Sequence, residues 1–173
     1  ENMWIRNYKL TKSVAYKENI YKMFYRWHLP PSRLAKMYPK MDPKCWRCKK
    51  ETGTYYHLWW TCPEAQKYWQ KIQHWLQEIT GEKIEILPEL FLLGIVNKEH
   101  EKDIKYIILH ILTAARIAIA QYWKQTEIPA EEVIIQKITT CAEMDRLTLL
   151  LNEKEESQYY KIWNNWYDWV EKK

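Results

Sequence analysis

Three of the chain's four cysteines and one of its five histidines fall in a single stretch, Cys45 to Cys62, which reads C-W-R-C-K-K-E-T-G-T-Y-Y-H-L-W-W-T-C. The ligand spacing is C-x2-C-x8-H-x4-C. A C-x2-C pair on a tight turn sets two thiolates on one side of a metal. A His and a Cys five residues apart can close the tetrahedron from the other side. Three Cys and one His, here Cys45, Cys48, His57 and Cys62, make one of the standard closed zinc sites, in which the metal serves folding rather than chemistry. Gly53 falls in the loop between the two pairs, where the chain reverses and a positive φ is often used. Three other readings compete. The cysteines can be ordinary buried small side chains, with His57 in the core. A disulfide framework would call for more cysteines at wider spacing and an export signal. A catalytic zinc would need an open coordination position and a nearby base, and Glu51 is the one carboxylate in the loop.

The ligands lie at the end of a strongly basic third. Residues 1–50 carry 13 Lys and Arg against 3 Asp and Glu, a net of +10, whereas residues 51–173 carry 14 against 19, a net of −5. Such asymmetry within one chain is an electrostatic footprint for a polyanion; the bland alternative is a solvated basic helix face. On the polyanion reading Lys17, Lys22, Arg26, Arg33, Lys36, Lys40, Lys44, Arg47, Lys49 and Lys50 contact phosphates. Arg47 sits between two ligand cysteines, so a folded site would fix its direction. Trp46, Tyr55 and Tyr56 are the candidates for stacking on bases, and Trp59 and Trp60 contribute at least one ring to the core.

The remaining chain must position these groups, and its length of 173 residues suffices for one domain with a substantial core. With 11 Trp and 13 Tyr against 2 Phe, the aromatics are mostly rings with a polar tip, suited to cores and wet interfaces alike. Three glycines are too few for a barrel with many tight turns. No apolar run reaches membrane-spanning length, so no membrane partner is expected. Reduced cysteines and no targeting segment favour a cytoplasmic and nuclear location. The chain begins at Glu1 rather than Met, which we read as the mark of a piece of a longer protein.

The expected fold is mostly α: a bundle of five to six helices with a small zinc-knuckle-like module. Residues 1–44 form a basic helical segment, 45–62 the zinc loop, and 63–173 a C-terminal helical bundle, with 45–173 folded together with 13–44. From Ser13 to His28, Val14, Ile20, Tyr21, Phe24 and Trp27 recur at helical intervals between Lys17, Lys22 and Arg26, an amphipathic basic helix stopped by Pro30-Pro31. Ser32 is placed as the N-cap of a short helix, Arg33 to Met37. After Cys62, Pro63 opens a helix whose apolar stripe is Tyr68, Trp69, Ile72, Trp75, Leu76 and Ile79, ended by Thr80-Gly81. Lys83 to Leu87 alternates as a short strand or extended segment, and Pro88 and Gly94 bracket a buried helical turn. Asp103 to Thr126 is the longest helix, with alanines for close packing and His110 as a structural histidine. The next opens at Pro129 with Val133, Ile134, Ile138, Cys141 and Leu147 on its core side. The last, Ser157 to Val170, is too aromatic to stand uncovered, so it packs on the bundle or on a missing partner domain.

No Gly-rich phosphate loop, G-x-S-x-G or H-E-x-x-H occurs, nor a pair of acids placed to hold two magnesium ions. A non-catalytic domain is therefore expected. The run K-M-F-Y-R-W-H-L-P-P-S-R-L (Lys22 to Leu34), the C-W-R-C pair and G-T-Y-Y-H-L-W-W-T-C-P (Gly53 to Pro63) resemble the C-terminal Cys-rich segment of LINE-type (non-LTR) retrotransposon reverse transcriptases. L-P-E-L-F-L-L-G-I (Leu87 to Ile95) and the alanine-rich helix ending Tyr122-Trp123-Lys124 are similar to it too, so the resemblance spans roughly residues 13 to 126. It implies a domain that engages template RNA or target DNA during target-primed reverse transcription. Cys45, Cys48, His57 and Cys62 would hold Zn2+, and the upstream polymerase of the same polyprotein would be a further partner. A zinc-stabilised scaffold docking on that polymerase core or on a host protein is the alternative.

Overall fold

The computed structural model describes residues 3–173, with side chains from Ile5 onward; the first two residues of the expected segment 1–44 lie outside the described residues. The molecule is mostly helical, and among the described residues it has no β-strand. Five longer helices, α2 (Val14–Phe24), α4 (Pro63–Thr80), α6 (Lys102–Gln121), α7 (Glu131–Leu151) and α8 (Glu156–Lys172), form the bundle. Three short ones, α1 (Met3–Tyr8), α3 (Pro31–Met37) and α5 (Pro88–Leu93), and a π turn at His57–Thr61 complete it. The three short helices, of six or seven residues each, raise the number above the five to six expected. Residues 83–87 form no strand, and Leu87 is extended as the N-cap of α5.

Helices α4 and α6 are built as the sequence pattern dictates. Pro63 begins α4 with Glu64 in its first turn, the whole predicted stripe from Tyr68 to Ile79 is buried, and Gly81 closes it at φ 69° with its N–H donating to Gln77 O. Small residues on α6, Ala114, Ala115 and Ala118, are buried and let neighbouring helices approach, and the Tyr68 hydroxyl donates to Ala115 O at 2.6 Å. Helix α8 packs on α4, α6 and α7 of this chain. It buries Tyr159, Ile162, Trp163 and Trp166 and sets Trp169 against Trp75 at 5.1 Å between ring centres. Trp59, Trp69, Trp163 and Trp166 are all fully buried, so much of the aromatic content goes to the core. One contiguous core joins Met23 of α2, Cys45 and Cys62 of the Cys-rich stretch, and α4 to α8.

Helix α2 differs from the sequence expectation in both face and length. Its buried side chains are Tyr16, Asn19 and Met23, while Val14, Tyr21, Phe24 and Trp27 lie on the exposed side. The reason is polar: Asn19 Oδ1 accepts from Arg116 Nε at 3.0 Å, and the same buried guanidinium donates to Phe91 O and to Thr113 Oγ1. A buried Arg with three partners fixes the face that meets it, because leaving it unpaired would cost more than exposing aromatic rings. The helix ends at Phe24, four residues short of His28. Arg26 adopts φ 49°, its N–H donates to Met23 O and the Trp27 N–H to Lys22 O, the two bonds of a Schellman termination with Arg where Gly is usual. Ser13 caps the start, accepting from Tyr16 N–H. Pro31, not Ser32, opens α3; the Ser32 N–H instead donates to Gly53 O at 3.1 Å.

Helix α7 buries Ile134 and Ile138 and half-buries Val133 and Cys141 as expected, but it leaves Leu147 exposed and buries Asp145. Asp145 accepts from the Tyr106 hydroxyl at 2.5 Å and from Trp163 Nε1 at 2.7 Å, and His110 Nε2 lies 3.5 Å away, so a carboxylate occupies a core position by tying α6, α7 and α8 together. Burial holds His110 below the usual imidazole range, consistent with a structural histidine.

Candidate metal centre

The four residues picked out by spacing converge. Cys45 Sγ, Cys48 Sγ, Cys62 Sγ and a ring nitrogen of His57 all lie within 4.8 Å of one another, an arrangement that could hold a metal ion. Cys45 and Cys62 sulfurs are 3.8 Å apart, and Cys48 Sγ is 3.4 Å from His57 Nε2. Cys45 and Cys62 are buried and Cys48 is half-buried.

Two local structures bring them together. The first is a tight knuckle closed by an isolated antiparallel bridge between Lys44 and Thr52, with the Cys45 N–H donating to Glu51 O and the Gly53 N–H to Pro43 O. Lys49, at φ 56°, makes the reversal expected of Gly53. Gly53 is required by space instead: a Cβ there would lie 2.7 Å from Pro31 Cγ and 3.0 Å from Cys45 Cα. The second is the π turn. On an α-helix, residues five apart point about 140° away from each other. The π turn, closed by the Cys62 N–H donating to His57 O, widens the coil so that His57 and Cys62 face the same centre. Trp59 and Trp60, within the turn, anchor it in the core.

The two thiols of the C-x2-C pair are perturbed in opposite directions. Burial pushes the Cys45 thiol up to about 11. Burial also raises Cys48, but the Glu51 and Lys50 backbone groups and His57 outweigh it and bring that thiol down to about 6. His57 Nδ1 lies 3.1 Å from Thr61 Oγ1 and 3.4 Å from a Glu51 carboxylate oxygen, leaving Nε2 toward the sulfurs. This is the outer support that orients a ligating imidazole. Arg47 is only 7% exposed; its Nη1 donates to Leu58 O at 2.5 Å, while Nε and Nη2 have no protein partner. Burial lowers its pKa, and Cys62 and Cys45 act most strongly in the other direction. Arg47 is thus an interior cation of the module and not part of the outer basic surface.

The other residues expected to meet phosphate are on the outside. Arg26, Arg33, Lys36, Lys40, Lys44, Lys49 and Lys50 are exposed; Lys17 is half-buried over the Tyr8 ring, and Lys22 pairs with Glu18. Of the three aromatics named for stacking, Trp46 and Tyr55 are half-buried against Trp123, and Tyr56 is 50% exposed. The sequence pattern missed Phe24, Tyr25, Trp27 and Tyr38, which are exposed among the basic residues. Phe24 and Trp27 continue, in steps of three residues, the spacing of a core stripe from Tyr21, and the buried Asn19 is what signals the opposite face. Cys141 stands apart on α7, its thiol toward His110 O. No helix among the described residues is long and apolar enough to cross a membrane. No model of a known protein family matches the chain.

Proposed function

We propose that this chain is a zinc-stabilised, non-catalytic nucleic-acid-binding domain. Following its sequence resemblance, it would act at the C-terminal end of a non-LTR retrotransposon reverse transcriptase, on template RNA or target DNA. The observation that carries the proposal is the layering around the Cys-rich stretch: ligands and Arg47 inside, with Lys44, Lys49, Lys50, Arg33 and Lys36 outside.

Zinc is the cation that fits the donor set. With Zn–S bonds of about 2.3 Å and Zn–N bonds of about 2.0 Å, a tetrahedron has S···S edges of about 3.8 Å and S···N edges of about 3.5 Å. Two of the six edges, Cys45 Sγ to Cys62 Sγ at 3.8 Å and Cys48 Sγ to His57 Nε2 at 3.4 Å, match these values, and all four donors lie within 4.8 Å of one another. When bound, the ion would supply a cross-link between the knuckle and the π turn. The chain's own residues then do the work: Gly53 lets α3 lie on the knuckle, and the knuckle presents Lys49 and Lys50 to solvent.

Binding to labelled RNA and DNA, measured across a salt series with metal content determined alongside, tests this reading. Each phosphate neutralised should contribute about −0.7 to −0.9 to the log–log salt slope. Cys62→Ser should lose both metal and binding. An affinity independent of salt, or a metal-free chain that binds as well as the loaded one, would overturn it.

A second reading, an interaction domain, has one observation in its favour. Leu147, Leu150 and Leu151 near the end of α7 are exposed together. A loaded chain that shifts no nucleic acid but binds a polymerase fragment through that edge would support it.

A further inference from the structure

Beside the metal centre, the end of α2 stands against α5 and leaves a groove of about 560 Å³, lined by Phe24, Arg26, Tyr55, Tyr56, Leu92 and Leu93. Its base is apolar: Met23 is buried, and the half-buried Tyr55 sets its hydroxyl 3.9 Å from the Met23 sulfur. Its rim is apolar and wet, with Phe24 58%, Tyr56 50% and Leu93 49% exposed. A smaller recess of about 130 Å³ continues along Leu92 and Leu93 toward Asn7. In a domain that buries so many of its tryptophans, large apolar side chains left together in the open mark a binding surface.

Charge selects the occupant. Arg26 reaches this groove because the Schellman turn holds it in the left-handed region, where a non-glycine residue is strained. Arg26 and Glu89 are the charged residues of the lining, and the surface of the same N-terminal third carries the exposed Arg33, Lys36, Lys40, Lys44, Lys49 and Lys50. Aromatic faces beside cations suit a strand whose bases are unstacked: the rings take the bases and the cations take the phosphates. A duplex keeps its bases inside and offers such a groove only backbone.

We infer that this groove takes unstacked bases of single-stranded RNA or DNA, with Phe24 and Tyr56 as the stacking faces and Arg26 on the backbone. The inference rests on the nucleic-acid reading above and narrows it to strand state. The test is fluorescence anisotropy at low salt on the zinc-loaded chain, using labelled single-stranded RNA and DNA of one sequence and the corresponding duplexes. Single strands should bind more tightly than duplexes. Phe24→Ala and Tyr56→Ala should each weaken single-strand binding about tenfold and leave duplex binding unchanged, while Tyr56→Phe, which keeps the ring, should match the parent. Both positions are at least half exposed, so circular dichroism should report an intact fold. Equal parent affinity for single strand and duplex, or equal losses on both in the alanine variants, overturns the groove assignment and leaves the basic-surface reading standing. Absence of binding to any nucleic acid overturns both. Binding of a protein instead, weakened by Phe24→Ala, would give the groove to that partner.

Discussion

Replacing Arg47 by Met tests whether the interior cation is the counter-charge of the metal centre. Three thiolates and a neutral imidazole around a divalent ion carry a net charge of −1. Arg47, buried with one hydrogen bond to Leu58 O and two nitrogens without protein partners, is the positive group packed beside them. Without metal, the guanidinium is a poorly compensated interior charge, and burial lowers its pKa. Met keeps an unbranched stem of similar length and removes that charge, so the metal-free variant should match or exceed the parent in stability. With metal, the variant loses a charge pair. Loss of a group supporting a metal site commonly costs about 10- to 100-fold in affinity. The expected outcome is therefore zinc affinity lower by about 10- to 100-fold, measured by competition with a chromophoric chelator. Thermal melts with and without chelator should close the cycle, because ligand binding stabilises only through the folded state. An unchanged affinity, or equal destabilisation of the loaded and stripped proteins, would refute the counter-charge assignment and reduce Arg47 to a packing role.

Three further outcomes follow from single positions. Gly53→Ala places a Cβ against Pro31 and the Cys45 backbone, so it should cost about 1–3 kcal/mol and weaken metal binding together; a parent-like melt with full metal content would sink this. Arg26→Gly relieves a left-handed non-glycine residue worth about 1 kcal/mol, raising Tm by about 2–4 °C while weakening single-strand binding, and a fall in Tm would contradict it. His28 lies against both Trp59 and Trp123, and burial, reinforced by Lys22, lowers its pKa from 6.5 to about 4. Its neutral form is favoured by folding, so its contribution to stability is complete above pH 6.5 and is lost as the pH falls toward 4. Melts at pH 7 and pH 5 should show a smaller drop in His28→Gln than in the parent at equal metal loading, and identical drops would exclude His28 as a source.

The features legible in the sequence are those set by near neighbours. Four donors within 18 residues had few ways to miss one another, and the structure gathers Cys45, Cys48, His57 and Cys62 within 4.8 Å. The α4 stripe and its Pro63 and Gly81 boundaries, and the Pro88–Gly94 bracket of α5, are local too, because backbone stereochemistry and a 3.6-residue period act within a few residues. What the sequence could not convey depended on groups far along the chain. The buried face of α2 was decided by Arg116, which is 97 residues from its acceptor Asn19. The C-terminal half of α7 was decided by Tyr106 and Trp163, which hold Asp145 inside, while Leu147 lies outside. Arg47, basic by count, became interior because the π turn brought Leu58 O over it. In each case a hydrogen bond to a polar group overrode the hydrophobic pattern. Periodicity counts apolar area, whereas the identity of the partner that satisfies a buried charge exists only once distant helices have packed.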